Sequence, residues 1–152
     1  MKTALKLALC AAVLVAASSA PMANEQALKA RQSLMQLYAF NLGGLGAMAK
    51  GEVEYDAATA TAHGENLLAA AKMSHVGLWP EGSDMDALPG KTEALKVIWT
   101  TYPAITEKQK ALIAGAEKMA AAAGTGIDGI KGAMGAVGGG CKGCHDTYRK
   151  AK

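Results

Sequence analysis

The sequence predicts an all-α protein built as an antiparallel bundle of four helices, and three observations support this prediction. After the N-terminal leader, apolar residues recur every three or four positions in four separate segments, which is the periodicity of one helix face. Most of the connections between these segments are short, as they are between antiparallel neighbours in a bundle. No segment shows the alternation of apolar and polar residues that is typical of a half-buried strand.

The N-terminal segment has the layout of a secretory signal peptide. Two lysines precede an apolar run over residues 7–17, which is too short to span a membrane, and small residues lead from this run to Pro21. We expect residues 1–23 to be the leader, with cleavage within residues 20–23, and residues 24–152 to form the mature domain. The mature chain is then exported to the periplasm and is predicted to have no membrane span.

The first two helices are delimited by capping residues. The first is expected to begin after Asn24, whose side chain suits an N-cap, and to end at Lys50-Gly51, a basic last turn followed by a glycine. The second opens after Asp56 and runs to about Val76. Residues 77–90 are rich in glycine and proline and are therefore predicted to form the longest loop of the mature chain.

The last two helices lie in the C-terminal part of the chain. The third has a short prelude at Ile98-Trp99, continues from Pro103 to Ala123, and is ended by Gly124-Thr125-Gly126. The fourth has the strictest apolar stripe, with steps of three and four residues, which predicts that one face is buried. This stripe contains Ile127, Ile130, Met134, Val137, Cys141, Cys144 and Tyr148.

Charge and composition exclude two classes of protein. Sixteen basic residues against thirteen acidic ones leave too weak a positive charge for a nucleic-acid-binding protein. A mean hydropathy of +0.10 excludes a polytopic membrane protein.

Only 5% of the residues are aromatic, so the side chains provide little bulk for a core. We therefore expect another group to fill the middle of the bundle.

The motif Cys141-Lys142-Gly143-Cys144-His145 has the spacing of covalent haem c attachment. Two thiols three residues apart share a helix face, so both can add to the vinyl groups of one haem. The adjoining His145 is then the proximal ligand of the iron. A thioredoxin-like redox pair would need a βαβ context, and a structural zinc site would need a fourth ligand, neither of which the sequence offers. One haem c would also supply the missing apolar bulk.

A haem motif on the last helix of such a bundle resembles the class II c-type cytochromes, the family of cytochrome c′ and its low-spin c-556 relatives. The resemblance covers essentially the whole mature chain. It includes Arg31-Gln32-Ser33-Leu34-Met35, Lys50-Gly51-Glu52, Tyr55-Asp56-Ala57, Pro80-Glu81-Gly82-Ser83, Ile98-Trp99, Cys144-His145-Asp146 and Tyr148-Arg149. It implies a periplasmic protein that carries single electrons through one haem c and exchanges them with redox partner proteins.

Met35 distinguishes two mechanisms within this resemblance. The matching position in the family faces the distal side of the iron, where low-spin members place a ligating methionine. Cytochromes c′ place a bulky apolar residue there, which leaves the iron five-coordinate and able to bind nitric oxide or carbon monoxide. We expect Met35 to be the distal ligand, with the high-spin, gas-binding protein as the alternative. A methionine at helical spacing is also commonly a plain core residue.

The resemblance also implies contacts for four other residues. It places Arg31 and Gln32 beside the haem propionates, Arg149 near the proximal histidine, and Glu93 at the haem edge. Arg31 lies on the inward face of the first helix, where a charge is costly without a partner. The alternative for Arg31 is a side chain that extends to solvent. The alternative for Arg149 is a favourable charge at a helix C-terminus.

Neither the remaining histidines nor the residues expected on the distal side of the haem indicate an enzyme. His63 and His75 are predicted to be partly exposed and not to bind the iron. A haem enzyme that uses peroxide or oxygen would need an acid–base pair on the distal side, and the first helix offers only Arg31 near Met35. We therefore predict that the protein is not an enzyme.

Small residues predict close contacts between helices or between chains. The run Gly138-Gly139-Gly140 lowers helix propensity, so we expect the macrocycle or a neighbouring helix to approach it closely. Gly43-Gly44 with Gly46 would let two first helices pack together in a homodimer. The haem edge next to Lys142 is the expected contact for redox partner proteins.

Overall fold

The computed structural model describes residues 19–151, so residues 1–18 of the predicted leader lie outside the described residues. Four long helices and one short helix form the described part of the chain, and a 3-10 turn precedes the last helix. They are α1 (Ser19–Lys50), α2 (Ala57–Lys72), α3 (Val97–Thr100), α4 (Ala104–Ala122), the turn Ala123–Thr125 and α5 (Ile127–Tyr148). Each of the four predicted helical segments therefore corresponds to one long helix, and the Ile98-Trp99 prelude is α3.

The start of α1 differs from the expectation. The helix begins upstream of Asn24 and includes the expected cleavage region at residues 20–23, so the predicted N-cap at Asn24 is wrong. The Asn24 side chain instead reaches across to the long loop, where Nδ2 donates to the carbonyl oxygens of Glu81 and Gly82, at 3.0 Å each. These bonds to distant backbone satisfy the polar group that would otherwise have favoured a helix end.

The two ends of α2 are fixed by side chains. Asp56 is the N-cap, as predicted, and its Oδ1 accepts a 2.7 Å hydrogen bond from the backbone N–H three residues later. The helix ends before the expected Val76, because Gln109 of α4 satisfies free carbonyls at that point. Gln109 Nε2 donates to the carbonyl oxygens of Ala71 and Met73, at 3.2 and 3.3 Å.

Small residues set the spacing of the bundle, in which α5 packs most extensively on α4. A Cβ added at Gly115 would lie 2.7 Å from the carbonyl oxygen of Ala136, and one added at Gly140 would lie 2.7 Å from Leu112 Cα. A neighbouring helix is therefore the reason for Gly140. The other two glycines of that run have nothing within 4 Å.

The core lies between the four long helices. Its fully buried side chains include Leu45, Leu67, Met119, Ile130 and Val137. The predicted stripe of α5 faces inward, with both cysteines half-buried at its C-terminal end. No helix among residues 19–151 combines the length and the apolarity that crossing a membrane requires.

Candidate functional site

The last turns of α5 present Cys141, Cys144 and His145 toward one end of the bundle. Burial raises the pKa of both thiols. Partial burial, followed by the nearby charge of Arg149, lowers the pKa of His145. A lowered pKa favours the neutral imidazole, which is the form that donates a lone pair to a metal.

A large cavity of about 1150 Å³ opens beside these three residues. It exceeds the upper end of the usual range for small-molecule pockets, about 1000 Å³. Apolar and aromatic side chains form much of its wall, among them Leu28, Tyr38, Leu42, Trp79, Ile98, Ile105 and Leu112. Such a cavity has the size and the apolar lining that a porphyrin needs.

The structure brings all seven sequence-predicted site residues to this one cavity. They are Arg31, Gln32, Met35, Glu93, Cys141, Cys144 and His145. The periodicity of α1 and α5 accounts for most of this convergence, because it turns one face of each helix toward the other. Glu93 comes instead from the irregular segment that precedes α3.

Met35 opens onto the large cavity rather than into the protein core. Its side chain is 37% exposed, whereas the core methionines Met48 and Met119 are 4% and 0% exposed. Three residues later on the same face, the Tyr38 hydroxyl donates to the carbonyl oxygen of Ala70 in α2, at 3.2 Å. The thioether sulfur of Met35 therefore faces the cavity from α1, which the Tyr38 hydrogen bond joins to α2.

Arg31 is buried, at 4% exposure, so the alternative of a side chain extending to solvent is wrong. Its Nη1 donates to Ser83 Oγ at 2.9 Å and its Nη2 to the Ser83 carbonyl oxygen at 2.8 Å. The guanidinium also lies over the Trp79 ring, 4.4 Å from the centroid. Burial lowers the pKa of Arg31 to about 10. Sequence reasoning missed both partners, since nothing in the loop pattern links them to the first helix.

The other predicted polar residues lie at the mouth of the cavity. Gln32 Nε2 donates to the carbonyl oxygen of Lys91 at 2.9 Å. Glu93 Oε2 accepts from Arg149 Nε at 2.7 Å and pairs with its Nη2 at 2.6 Å. The backbone N–H of Lys150 donates to the Glu93 carbonyl oxygen at 2.8 Å. The C-terminal end of α5 is thus fastened to the segment before α3.

The two remaining histidines occupy different environments. His63 Nδ1 lies 3.1 Å from Asn41 Oδ1, and its ring packs on Gly44 and against Phe40, outside the cavity lining. His75 lies beyond the end of α2 and lines the cavity, with a buried Nε2 that has no hydrogen-bond partner. Burial lowers its pKa. Sequence reasoning missed this placement, because the chain after α2 is irregular and shows no periodicity.

The charges of the cavity lining are strongly one-sided. Five basic side chains contribute to it, against one acidic side chain, Glu93. The basic residues are Arg31, Lys91, Lys108, Arg149 and Lys150. Lys91 is paired with Glu25 and Arg149 with Glu93, and the remaining basic side chains still suit a group that carries carboxylates, as haem does through its propionates.

Residues 26–149 match the family model described as Cytochrome C′. The chain belongs to the cytochrome c′ family. It is 40% identical over 126 residues to cytochrome c-554 of Cereibacter sphaeroides, a match that covers 83% of this chain and 94% of that protein. A solved structure of cytochrome c′ from Rhodobacter sphaeroides superimposes with a TM-score of 0.79 at 36% identity, over 85% of this chain and 98% of that one.

A further solved relative is a variant of cytochrome c′ from Alcaligenes xylosoxidans, in the ferrous state with bound nitric oxide. It superimposes with a TM-score of 0.71 at 34% identity and covers 85% of this chain and 97% of that one. The predicted class II cytochrome and its four-helix bundle are thereby confirmed.

Membership in the cytochrome c′ family has chemical consequences for this chain. The family is one of periplasmic haem proteins and not of enzymes, as predicted for this chain, and it implies covalent haem c. The thiols of Cys141 and Cys144 are present at the spacing that attachment requires. The thioredoxin-like and zinc alternatives are therefore set aside.

Proposed function

We propose that the protein is a periplasmic carrier of single electrons, exported by a signal peptide over residues 1–23. One haem c is joined by thioethers to Cys141 and Cys144, with His145 as the proximal ligand and Met35 as the distal ligand. When bound, haem c supplies the Fe(III)/Fe(II) couple that carries one electron. The observation that carries this proposal is the exposure of the Met35 side chain onto the cavity that the attachment motif also lines.

Each ligand contributes a different property. The neutral imidazole of His145 offers a nitrogen lone pair, and the two cysteines hold the macrocycle so that the histidine stays in place. The Met35 thioether is a soft ligand that favours ferrous iron and raises the reduction potential. A filled distal position leaves no site for an external ligand, which suits electron transfer.

Polar residues of the cavity contact the haem propionates and line the haem edge in this proposal. Arg31 and Gln32 are the proposed propionate contacts, within a lining that carries a surplus of basic side chains. Ser83 and Trp79 fix the Arg31 guanidinium in the free chain, so little reorganisation is needed on binding. The Glu93–Arg149 ion pair lies at the proposed haem edge.

The second candidate function is gas binding by a five-coordinate iron. It is favoured by one observation, the structural similarity to a cytochrome c′ with bound nitric oxide. In this case Met35 forms the distal wall without ligating, and nitric oxide or carbon monoxide binds beside it.

Redox partner proteins and a second copy of the chain are the proposed macromolecular contacts. Lys142 pairs with Asp146 on the surface of α5, next to the proposed haem edge. On α1, Phe40 is 69% exposed and Gly43 and Gly46 have open space around them, which suits a homodimer. Gly44 is instead covered by the His63 ring.

Absorption spectra of the holoprotein and of a Met35→Ala variant test the distal ligand. We expect a low-spin ferrous spectrum for the unchanged protein, and a high-spin spectrum, rapid carbon monoxide binding and a lower reduction potential for Met35→Ala. Met73→Ala is the matched control, because Met73 is exposed and does not line the cavity. A high-spin unchanged protein that already binds carbon monoxide rapidly would establish the gas-binding alternative instead.

A further inference from the structure

His75 differs from the other polar side chains of the large cavity. Its Nε2 is buried without a hydrogen-bond partner, and no other buried side-chain nitrogen or oxygen among residues 19–151 shares this property. A buried polar atom without a partner costs free energy, so it calls for a physical reason. The other polar groups nearby already donate, since Tyr38 bonds Ala70 and Gln109 bonds Ala71 and Met73.

Contacts from two helices hold His75 at this place. The bond from Tyr38 fixes the last turn of α2 to α1, and the two bonds from Gln109 fix it to α4. The His75 carbonyl oxygen then accepts from the backbone N–H of Leu78 at 3.0 Å, which turns the chain into the long loop. Hydrogen bonds to the backbone before His75 and at its own carbonyl oxygen therefore hold the histidine in place.

The helix that leads to His75 and the helix that carries the attachment motif lie at different corners of the bundle. In the ring of long helices, α2 packs on α1 and α4, whereas α5 packs on α4 and α1. The helices α2 and α5 are thus diagonal to each other. His75 follows α2 and His145 lies on α5, so the two imidazoles come from opposite corners of the bundle.

We propose that His75 is a hydrogen-bond donor on the distal side of the haem site, acting through Nε2–H on a small ligand bound to the iron. The ligands concerned are diatomic molecules and small anions whose outer atom gains negative charge on binding. Donors in the distal pocket govern how such ligands are held. This inference rests on the haem position given under Proposed function, and it applies when the distal position is open to an external ligand, as in the five-coordinate alternative or after Met35 is replaced.

The test uses the holoprotein with Met35→Ala, in which the distal position is open to external ligands. The infrared C–O stretching frequency of the ferrous carbon monoxide adduct is compared with and without His75→Leu. A donor lowers this frequency by drawing charge onto the oxygen, so we expect His75→Leu to raise it. The affinity of the ferric form for cyanide should fall about tenfold, as expected for the loss of one hydrogen bond.

Two further variants separate hydrogen bonding from packing. His75→Gln retains an N–H donor and should restore most of the frequency and of the cyanide affinity. His63→Leu removes the histidine that lies outside the cavity and should change neither quantity. Far-UV circular dichroism and the haem absorption of each variant establish that the bundle is folded and loaded.

Two results would overturn the inference. One is an identical C–O frequency with and without His75→Leu in a folded, loaded protein. The other is a Met35→Ala protein that stays low-spin until His75 is also replaced, because His75 would then be an iron ligand. If the unchanged protein proves high-spin, the Met35 proposal fails, but the same comparison can be made directly on it.

Discussion

At the scale of single residues, the buried charge of Arg31 shows how the loop and the first helix are joined. Two hydrogen bonds to Ser83 and the face of Trp79 surround the guanidinium. Charged hydrogen bonds and a cation–π contact offset part of the cost of removing the charge from water. Because both partners belong to the loop over residues 77–90, Arg31 fixes that loop as one wall of the cavity.

Asp56 provides a residue-scale prediction with a pH dependence. Its hydrogen bonds to Thr59 lower the pKa of the carboxyl group in the folded state. The stabilising effect of the charged cap is thus complete above the unfolded pKa of about 3.9 and is lost as the pH falls through the lower, folded value. We expect Asp56→Ala to lower the thermal midpoint of the holoprotein by about 2–4 °C at pH 7.

The matched variant for this prediction is Asp56→Asn, which keeps an acceptor oxygen but cannot titrate. It should lose less stability than Asp56→Ala at pH 7. The difference between the unchanged protein and Asp56→Asn should shrink at acidic pH. Calorimetric midpoints between pH 7 and pH 3 measure both effects, and a constant difference across this range would contradict the role given to the charge.

Residue placement was predictable where it follows helix periodicity. The inward position of Arg31 and the buried stripe of α5 follow from steps of three and four residues. The partners of Arg31 could not be predicted, since Ser83 is 52 residues away in a loop without periodic order. The same reason explains His75, whose place depends on the end of α2 and not on a pattern.

At the scale of helices, glycines in α4 and α5 act in two different ways. Gly140 lies where a Cβ would come within 2.7 Å of the α4 backbone, whereas Gly138 has open space around it. We expect Gly140→Ala to destabilise the holoprotein by about 1–3 kcal/mol, because the helices must separate. Gly138→Ala should stabilise it by up to about 1 kcal/mol, because alanine is the better helix former.

Chemical denaturation of the two holoproteins measures these opposite changes in the free energy of unfolding. Gly138 and Gly140 lie in the same helix, two residues apart, so the pair controls for effects of sequence position on helix propensity. Equal changes in both variants would show that close packing of α4 on α5 does not determine the cost at Gly140.

Helix ends were harder to predict than helix cores. The cap of α2 at Asp56 was found because its hydrogen bond is local. The start of α1 was misplaced because Asn24 bonds to the loop more than fifty residues away. The end of α2 was placed too late because Gln109, from another helix, satisfies its last carbonyls. Contacts between elements therefore override local signals at these ends.

At the scale of the whole molecule, the large cavity accounts for the unusual composition. A chain with 5% aromatic residues surrounds about 1150 Å³ of space with apolar side chains and a basic rim. The fold class and the attachment motif were predictable, because both follow from periodicity and spacing. The shape of the cavity was not, because its lining joins segments from both halves of the chain, one of them without periodic order.

The last prediction concerns the attached group as part of the core. A chain with both Cys141→Ser and Cys144→Ser cannot form the thioethers, and we expect its thermal midpoint to lie at least about 10 °C below that of the holoprotein. The bound group stabilises only the folded state, and without it water meets the apolar wall of the cavity. Far-UV circular dichroism during heating measures the midpoint and the helix content of each protein.

The single variants Cys141→Ser and Cys144→Ser test whether the thermal midpoint depends on the number of thioether bonds. Each retains one thiol for attachment, so their midpoints should lie between those of the holoprotein and the double variant. Serine is close to cysteine in size, so the substitutions themselves cost little packing at these half-buried positions. A double variant that contains no haem, yet melts at the holoprotein's temperature with full helix content, would show that side chains alone suffice for the core.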